Sequence, residues 1–327
     1  MKLPALLENK LEVYKKESRK YYRSKPFFLI RAFTFIDCIL QRLFFHIEPL
    51  EYFQYSFPKK SLKRRQTFLT YYHLRQMIRS LNSSAQRSTF DDKAEFCRCF
   101  DNLLGRDWLD MKLATVDEFS QFAANHPTFF TKDSLSMFGK GVHLVHVSDD
   151  PRVNLFETLR DHSLLLEEPI VQHSQLSLIN KSSVNTVRVV TLLDSLTKPH
   201  VVACVLRVGR QGLPVDNFHF GGIAAAIDTT TGQVYSSGVD SQFRRYTVHP
   251  DSGLPILGFT IPNWNAVIDL VQKAALRVPS VRYVGWDIAI TENSAVLVEG
   301  NYGPDPDVTQ MPQDTGLLPL MNQLLKL

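Results

Sequence analysis

The sequence predicts an α+β protein with a helical front. Residues 1–87 read as helical, with clustered aromatics and a basic break at Lys59 to Arg65. Strand-period alternation first appears at Thr128 and dominates from Val187 onward, while helical patterns return between and after the strands. At 327 residues, 44% hydrophobic and 21% charged, the chain can build two or three packed units. Its composition is that of an ordinary soluble globular protein.

The front contains one long apolar run, Phe27 to Phe45. It approaches membrane-span length, but Arg31, Asp37, Gln41 and Arg42 interrupt it, and each is costly in hydrocarbon. On a helix these four share a stripe with Thr34, leaving Phe28, Leu29, Ile36, Ile39 and Leu43 on a wide apolar face. Such a helix packs on the body of the protein or lies in a membrane surface, and docking on the body is the commoner fate. Up to Arg65 there are fifteen Lys/Arg against six Asp/Glu, so the front is strongly basic although the whole chain carries only +4. That asymmetry suits an anionic partner surface, either membrane or nucleic acid, or else a solvated helical face. No secretory signal is visible, and the four cysteines (Cys38, Cys97, Cys99, Cys204) show neither zinc spacing nor a disulfide framework. A reducing compartment fits them as small buried hydrophobes.

After a linker at Ser83 and Ser84, Asp92 begins a helix through Leu104. A second helix, Val116 to Asn125, has Thr115 as N-cap and Glu118 as its capping-box partner. Thr128 to Lys132 and Val142 to Val147 read as strands around a loop with two glycines. A helix over Arg152 to Arg160 and a strand over Leu164 to Glu167 follow. The main strands are Val187–Leu193, Val201–Val208, Gly222–Ile227, Tyr283–Ile290 and Ala295–Glu299. A helix follows Pro262, and a leucine-rich helix after Pro312 closes the chain. There are no internal repeats.

The sharpest signal is the last strand pair. Val284, Trp286, Ile288 and Ile290 share one face, so Asp287 points to the other. Glu299 and Asn301 share a face opposite Val296 and Val298. A turn centred on Asn293 sets Asp287 directly across from Glu299, with Cβ atoms roughly 4.5–5.5 Å apart. Two carboxylates that close repel unless a cation sits between them, and magnesium takes such oxygen ligands together with substrate phosphates. Spacing alone leaves an ordinary hairpin with solvent-facing polar residues as the alternative.

Asp287 followed by Glu299-Gly-Asn301 resembles the metal site of the ATP-grasp superfamily. Ser183-Val-Asn-Thr-Val-Arg188, Asp216-Asn-Phe-His-Phe-Gly-Gly222 and Gly285-Trp-Asp-Ile-Ala289 are similar to segments of the sugar-transfer-associated ATP-grasp proteins, over residues 88–325. The resemblance implies two α+β lobes clasping ATP: a small lobe at 88–168 and a large lobe with the metal site at 169–327, behind the helical region 1–87. It implies Asp287, Glu299 and Asn301 as ligands of magnesium, with manganese able to replace it. Lys132 and Lys93 would contact the phosphates, under the loop Asp133 to Gly141 with Gly139, Lys140 and Gly141. Asp133 stands where proline is usual. Glu167 or Glu168 and the backbone at Ile170 would meet the adenine edge, with Gln172 and His173 near the ribose. The stretch with Arg188, Arg207, Asn217, His219, Gly221 and Gly222 is similar to ribosomal-protein glutamate ligases. Arginines suit both a γ-phosphate and a carboxylate, because their fork bonds either in bidentate fashion. His219 reads as a general base or as a hydrogen-bonded loop residue.

The resemblance implies an ATP-dependent carboxylate–amine ligase working through an acyl phosphate, with Arg188 on the phosphates and Arg207 on the oxyanion. The family name implies cell-envelope polysaccharide or amino-sugar or amino-acid conjugate chemistry, in the cytoplasm or peripherally at the inner membrane. The expected partners are carboxylate and amine substrates, free or glycan-linked, and no nucleic acid. A kinase acting on a hydroxyl and a non-catalytic nucleotide-binding protein are the rival readings.

Overall fold

In the computed structural model, residues 5–22, 28–134, 141–147, 155–212 and 216–326 are described. The front holds α1 (Ala5–Tyr22), α2 (Phe28–Phe45), α3 (Pro49–Gln54), α4 (Leu62–Arg65) and α5 (Tyr71–Leu81). Next come α6 (Ser88–Asp91), α7 (Lys93–Leu104), β1 (Trp108–Asp110) and α8 (Val116–Asn125). β2 (Thr128–Asp133), β3 (Val142–His146), α9 (Leu155–Asp161) and β4 (Leu164–Glu167) complete a four-stranded sheet in the order β1-β4-β2-β3. After α10 (Ser174–Ile179), the strands β5 (Thr186–Leu193), β6 (Pro199–Val208), β7 (Ile223–Ile227), β8 (Gly238–Val239) and β9 (Arg245–Tyr246) run in sequence. Then follow α11 (Trp264–Arg277), β10 (Tyr283–Ile290), β11 (Ala295–Asn301), α12 (Pro306–Gln313) and α13 (Leu318–Leu324). The larger sheet has the order β11-β10-β5-β6-β7-β8-β9 and is antiparallel throughout. The protein is α+β, as the sequence predicts.

Local chemistry sets the helix ends. Asp92 accepts from the N–H groups of Ala94 (2.8 Å) and Glu95 (3.2 Å), a cap that contributes about 1 kcal/mol. Helix α7 stops at Gly105, where φ is +59° and a Cβ would lie 2.4 Å from Val296 Cγ1. Thr115 and Glu118 form the expected capping box. The closing helix is split: α12 runs through Pro312 into its last turn, and α13 begins only at Leu318. Sequence reasoning placed no helix at Pro306, although proline at the first helical position suits an N-terminus.

Both faces of the large sheet are covered. Val187, Val189, Leu206, Val284, Trp286 and Ile288 pack against α7 and α11. The Trp286 indole N–H finds Thr191 Oγ1 at 2.8 Å, so this buried ring leaves no orphan donor. The opposite face offers Val190, Leu192, Val205, Ala203 and Ala224, and the front and the two closing helices cover it. Leu69 N–H donates to Gln310 Oε1 (2.9 Å), and Gln310 Nε2 donates back to Leu69 O (2.7 Å). Lys60 reaches Asp314 at 2.6 Å. The front therefore shares cores with the large sheet. Helix α7, expected with the small lobe, also packs into the large-sheet core, whereas the small sheet has its own cluster of Met111, Phe119, Phe122, Phe129, Phe156 and Leu166.

Candidate functional site

Strand register brings the acidic pair together: Asp287 lies opposite Glu299, and Gly285 opposite Asn301. The neighbouring strands place Arg188 opposite Asp287, and Thr186 opposite Arg207. Arg188 grips Asp287 through both Nε and Nη2 (the latter at 2.9 Å), and Arg207 Nη1 reaches Asp287 Oδ2 at 2.9 Å. Arg207 Nη2 bonds Asp216, whose second oxygen accepts from Thr186 N–H at 3.0 Å and from its hydroxyl. Arg188, Arg207, Asp216 and Asp287 are all buried. Burial by itself would raise the Asp287 carboxyl, but the two guanidiniums outweigh it and hold that group well below the ordinary carboxylate range.

Glu299 behaves oppositely. Its side chain is open to solvent, yet protein surrounds it on the other sides, as on the floor of a cleft. That enclosure first, and the Asp287 charge second, push its carboxyl upward.

The donor set fits a hard cation. Asp287 Oδ2 accepts two guanidinium N–H groups, but Oδ1 accepts only one, which leaves it a lone pair. Glu299 is open, and Asn301 Oδ1 spends one lone pair on Gly303 N–H at 2.8 Å. Oxygen ligands from two carboxylates and an amide suit magnesium.

On the smaller sheet, Lys132 Nζ lies 2.8 Å from Glu167, and Arg106 Nε lies 2.7 Å from the same oxygen. Burial would raise Glu167, but Lys132 and Arg106 hold it down at about 2. Its carboxylate is thus engaged by two cations within the protein. Lys93 opens α7 and donates to Asp133 O at 2.9 Å. Burial lowers its ammonium, while the negative charge of Glu299 works against that. The same group feels Lys132, so both lysines and the acidic pair occupy one neighbourhood.

The remaining predicted residues divide. Glu168 accepts from Asp107 N–H at 3.1 Å. Ile170 is half-buried just after β4. His173 caps α10 through Nδ1 (3.1 Å from Gln175 N) and stands 3.4 Å from Glu292. Gln172 donates to the carbonyls of Asn180 and Ser183 and accepts from Asn185, which fastens the loop before β5. Asn217 Oδ1 accepts from His219 N–H at 2.9 Å and caps the short turn Phe218–Phe220. Gly222 must be glycine, since a Cβ there would lie 2.2 Å from Asp216 O. His219 Nε2 meets the buried Asp307 at 3.0 Å, with Asp305 at 4.0 Å from Nδ1. Burial would lower the imidazole, but Asp307 and then Asp305 raise it overall. Gly141 is exposed with φ +70°, and Gly139 and Lys140 lie outside the described residues.

Four participants escaped sequence reasoning. Arg106 joins the two sheets: besides Glu167 it donates to Leu297 O at 2.6 Å on β11. Asp216 orients Arg207. Asp305 and Asp307 face His219, and Asp307 also accepts from Gln54 of the front at 2.6 Å. The available signals were the place of Asp216 at the head of Asp216-Asn-Phe-His-Phe-Gly-Gly222 and the acid pair in Gly303-Pro-Asp-Pro-Asp307, just past Asn301.

The sugar-transfer associated ATP-grasp family matches residues 153–326, over half of the chain. Among solved structures, the ATP-grasp ligase PsnB complexed with precursor peptide PsnA2 and AMPPNP is similar at 14% identity. Its TM-score is 0.45, with 75% of this chain and 61% of that chain covered. N5-carboxyaminoimidazole ribonucleotide synthetase in its ADP complex follows at 9% identity and TM-score 0.44, covering 73% and 52%. D-alanyl-alanine synthetase A from Vibrio cholerae stands at 13% and 0.40, covering 72% and 60%. The chain thus spans less than two thirds of the length of each. No curated protein matches in sequence. The chain belongs to the sugar-transfer associated ATP-grasp family, whose superfamily typically comprises ATP-dependent carboxylate–amine ligases.

Proposed function

We propose that this ATP-grasp protein is an ATP- and magnesium-dependent carboxylate–amine ligase that proceeds through an acyl phosphate. The observation that carries the reading is the register of β5, β6, β10 and β11, which gathers Asp287, Glu299, Arg188 and Arg207 at one place. Asp287, Glu299 and Asn301 would hold magnesium, which supplies charge neutralisation on the transferred phosphoryl group. Lys93 and Lys132, neighbours of each other near Glu299, would neutralise phosphate oxygens. The backbone at Ile170, with Glu167, Glu168 and His173 nearby, borders the nucleotide. The Arg188–Asp287–Arg207–Asp216 chain fixes both forks before substrate arrives, so little reorganisation accompanies the reaction. Arg207 faces the developing oxyanion, and Asn217 holds the turn that presents His219. His219 takes the proton of the attacking amine, and its paired acids keep the resulting imidazolium stable. The setting we infer is cytoplasmic, in envelope-polysaccharide or amino-sugar or amino-acid conjugate synthesis.

Incubation with Mg-ATP and a panel of carboxylates and amines tests this. Free phosphate, ADP and an amide product are expected. A stable phosphorylated acceptor would replace the reading with a kinase, and tight Mg-ATP binding without turnover across the panel would refute catalysis.

A further inference from the structure

Helix α2 is mounted with its polar side inward. Thr34, Cys38 and Gln41 are its buried residues. Thr34 Oγ1 donates to Ile30 O at 2.7 Å and shares a hydrogen bond of the same length with Tyr22. Asp37 accepts from Tyr52 at 2.5 Å and from Arg65 at 2.9 Å. The polar stripe, and not the wide apolar face, is therefore the side docked on the body.

The other half of the helix circumference is apolar and bare. Phe28 is 79% exposed, Phe33 73%, Phe44 70%, Leu29 68%, Leu43 65% and Ile36 57%. Single exposed hydrophobes are common on soluble proteins, but a continuous row along one helix of 18 residues is not. At about 1.5 Å per residue the row is about 27 Å long. Leu62, 56% exposed at the start of α4, lines the same hollow as Phe44 and Phe45.

Among the described residues, no helix is long and apolar enough to cross a membrane. The charges of Arg31, Asp37 and Arg42 along α2 suit a helix lying flat. Exposed basic residues lie on the row's own helix and the elements near it: Lys16 and Arg19 on α1, Arg31 on α2 itself, and Lys63 beside Leu62. Among the described residues none of these four forms an ion pair, whereas Lys10, Lys20 and Arg42 do. Helix α1 lies alongside α2, with Tyr14 edge-on to Phe35 at 5.1 Å.

We propose that α2 lies in the interfacial plane of an anionic lipid bilayer, its bare half among the upper acyl chains and the neighbouring Lys/Arg side chains on lipid phosphates. Charge selects this occupant. A second copy would bring the same positive surface against itself, whereas anionic headgroups complement it. Acyl chains also accept aromatic and branched side chains without needing a shaped partner, and burial of this row is what holds an amphipathic helix in an interface. The proposal stands independently of the reaction the cleft performs.

The test is co-sedimentation of the full chain with vesicles of phosphatidylcholine alone, or of two parts phosphatidylcholine to one part phosphatidylglycerol. Binding to the anionic vesicles is expected, weakened at least tenfold by Phe33→Asp with Leu43→Asp and severalfold by Lys16→Glu with Lys63→Glu. Circular dichroism and thermal melting should stay unchanged, because the substituted side chains touch solvent. Should the charged variants misfold, Phe44→Trp serves instead, with its fluorescence expected to shift to the blue on anionic vesicles and to be quenched by brominated acyl chains. A chain that stays in the supernatant with both vesicle types overturns the proposal. So does undiminished binding by Phe33→Asp with Leu43→Asp. Concentration-dependent dimerisation that this pair abolishes, without vesicle binding by the parent, would assign the face to a second copy.

Discussion

Asp287 and Glu299 are proposed ligands of one ion, yet their removal should have opposite effects on stability. Asp287 is the shared counterion of two buried guanidiniums. Asp287→Ala removes the ion-pair partner of Arg188 and leaves Arg207 paired with Asp216 alone. Breaking a buried pair from one side costs about 3–5 kcal/mol, because the remaining charge stays desolvated. Glu299 lacks such partners, and the fold favours its neutral form. Between its ordinary value of 4.5 and about 7, the unfolded chain ionises while the folded one keeps the proton. Stability therefore falls across that window as pH rises, and the loss is complete above it. Because the side chain is solvent-accessible, screening reduces the full electrostatic cost to about 1 kcal/mol. Glu299→Gln removes that loss, so at pH 8 it should match or exceed the parent by about 1 kcal/mol, and below pH 4.5 the advantage should vanish. Urea denaturation at pH 4.5 and pH 8 measures both variants, and phosphate release from Mg-ATP measures turnover. Both substitutions should abolish turnover. Equal stabilities for the two variants would refute the ion-pair reasoning, and full turnover in either would refute the metal assignment.

Lys132→Met should raise the KM for ATP at least tenfold and leave Glu167 held by Arg106 alone. Since Glu167 sits well below its ordinary value, its contribution is present above about pH 4.5 and is lost as pH falls towards 2, so acid denaturation of Lys132→Met should begin at higher pH. Gly222→Ala should cost about 2–4 kcal/mol by thermal melting, because the new Cβ meets Asp216 O and displaces the partner of Arg207. His219 has a raised imidazole pKa, so its stabilising pair with Asp307 is fully present below pH 6.5 and fades as pH rises through the folded value. His219→Gln should flatten that slope in melting curves and remove the ascending limb from the pH profile of turnover.

The hairpin was legible in part, because strand parity and a short turn are local. Parity assigns each side chain a face, and the turn after Ile290 sets Ile288 opposite Leu297, but a bulge at Val298 then shifts the register by one and brings Glu299 opposite Asp287, and no local signal announced that bulge. The capping box at Thr115, local as well, was readable. Helix α2 shows the limit. Periodicity identified its two faces, but which one turns inward depends on Tyr52 and Arg65, at 15 and 28 residues' remove. Arg106 was hidden more completely, since its partners Glu167 and Leu297 lie 61 and 191 residues away and a single arginine after glycine has no pattern. Lys132 was found as a cation at a strand end, but its bond to Glu167 depends on β2 pairing with β4.

The front's grip on the back of the large sheet has a consequence for how this chain can be divided. Similarity of sequence marks off residues 153–326 as a unit. A polypeptide cut at that line would uncover the part of the Val190, Leu192, Val205 and Ala224 face that the front covers, strip Asp307 of Gln54 and leave Gln310 without Leu69. The recognisable module is thus smaller than the smallest piece able to hold its own shape. Truncation cannot separate attachment from chemistry in this protein, so single side chains on its outer surfaces are the usable handles.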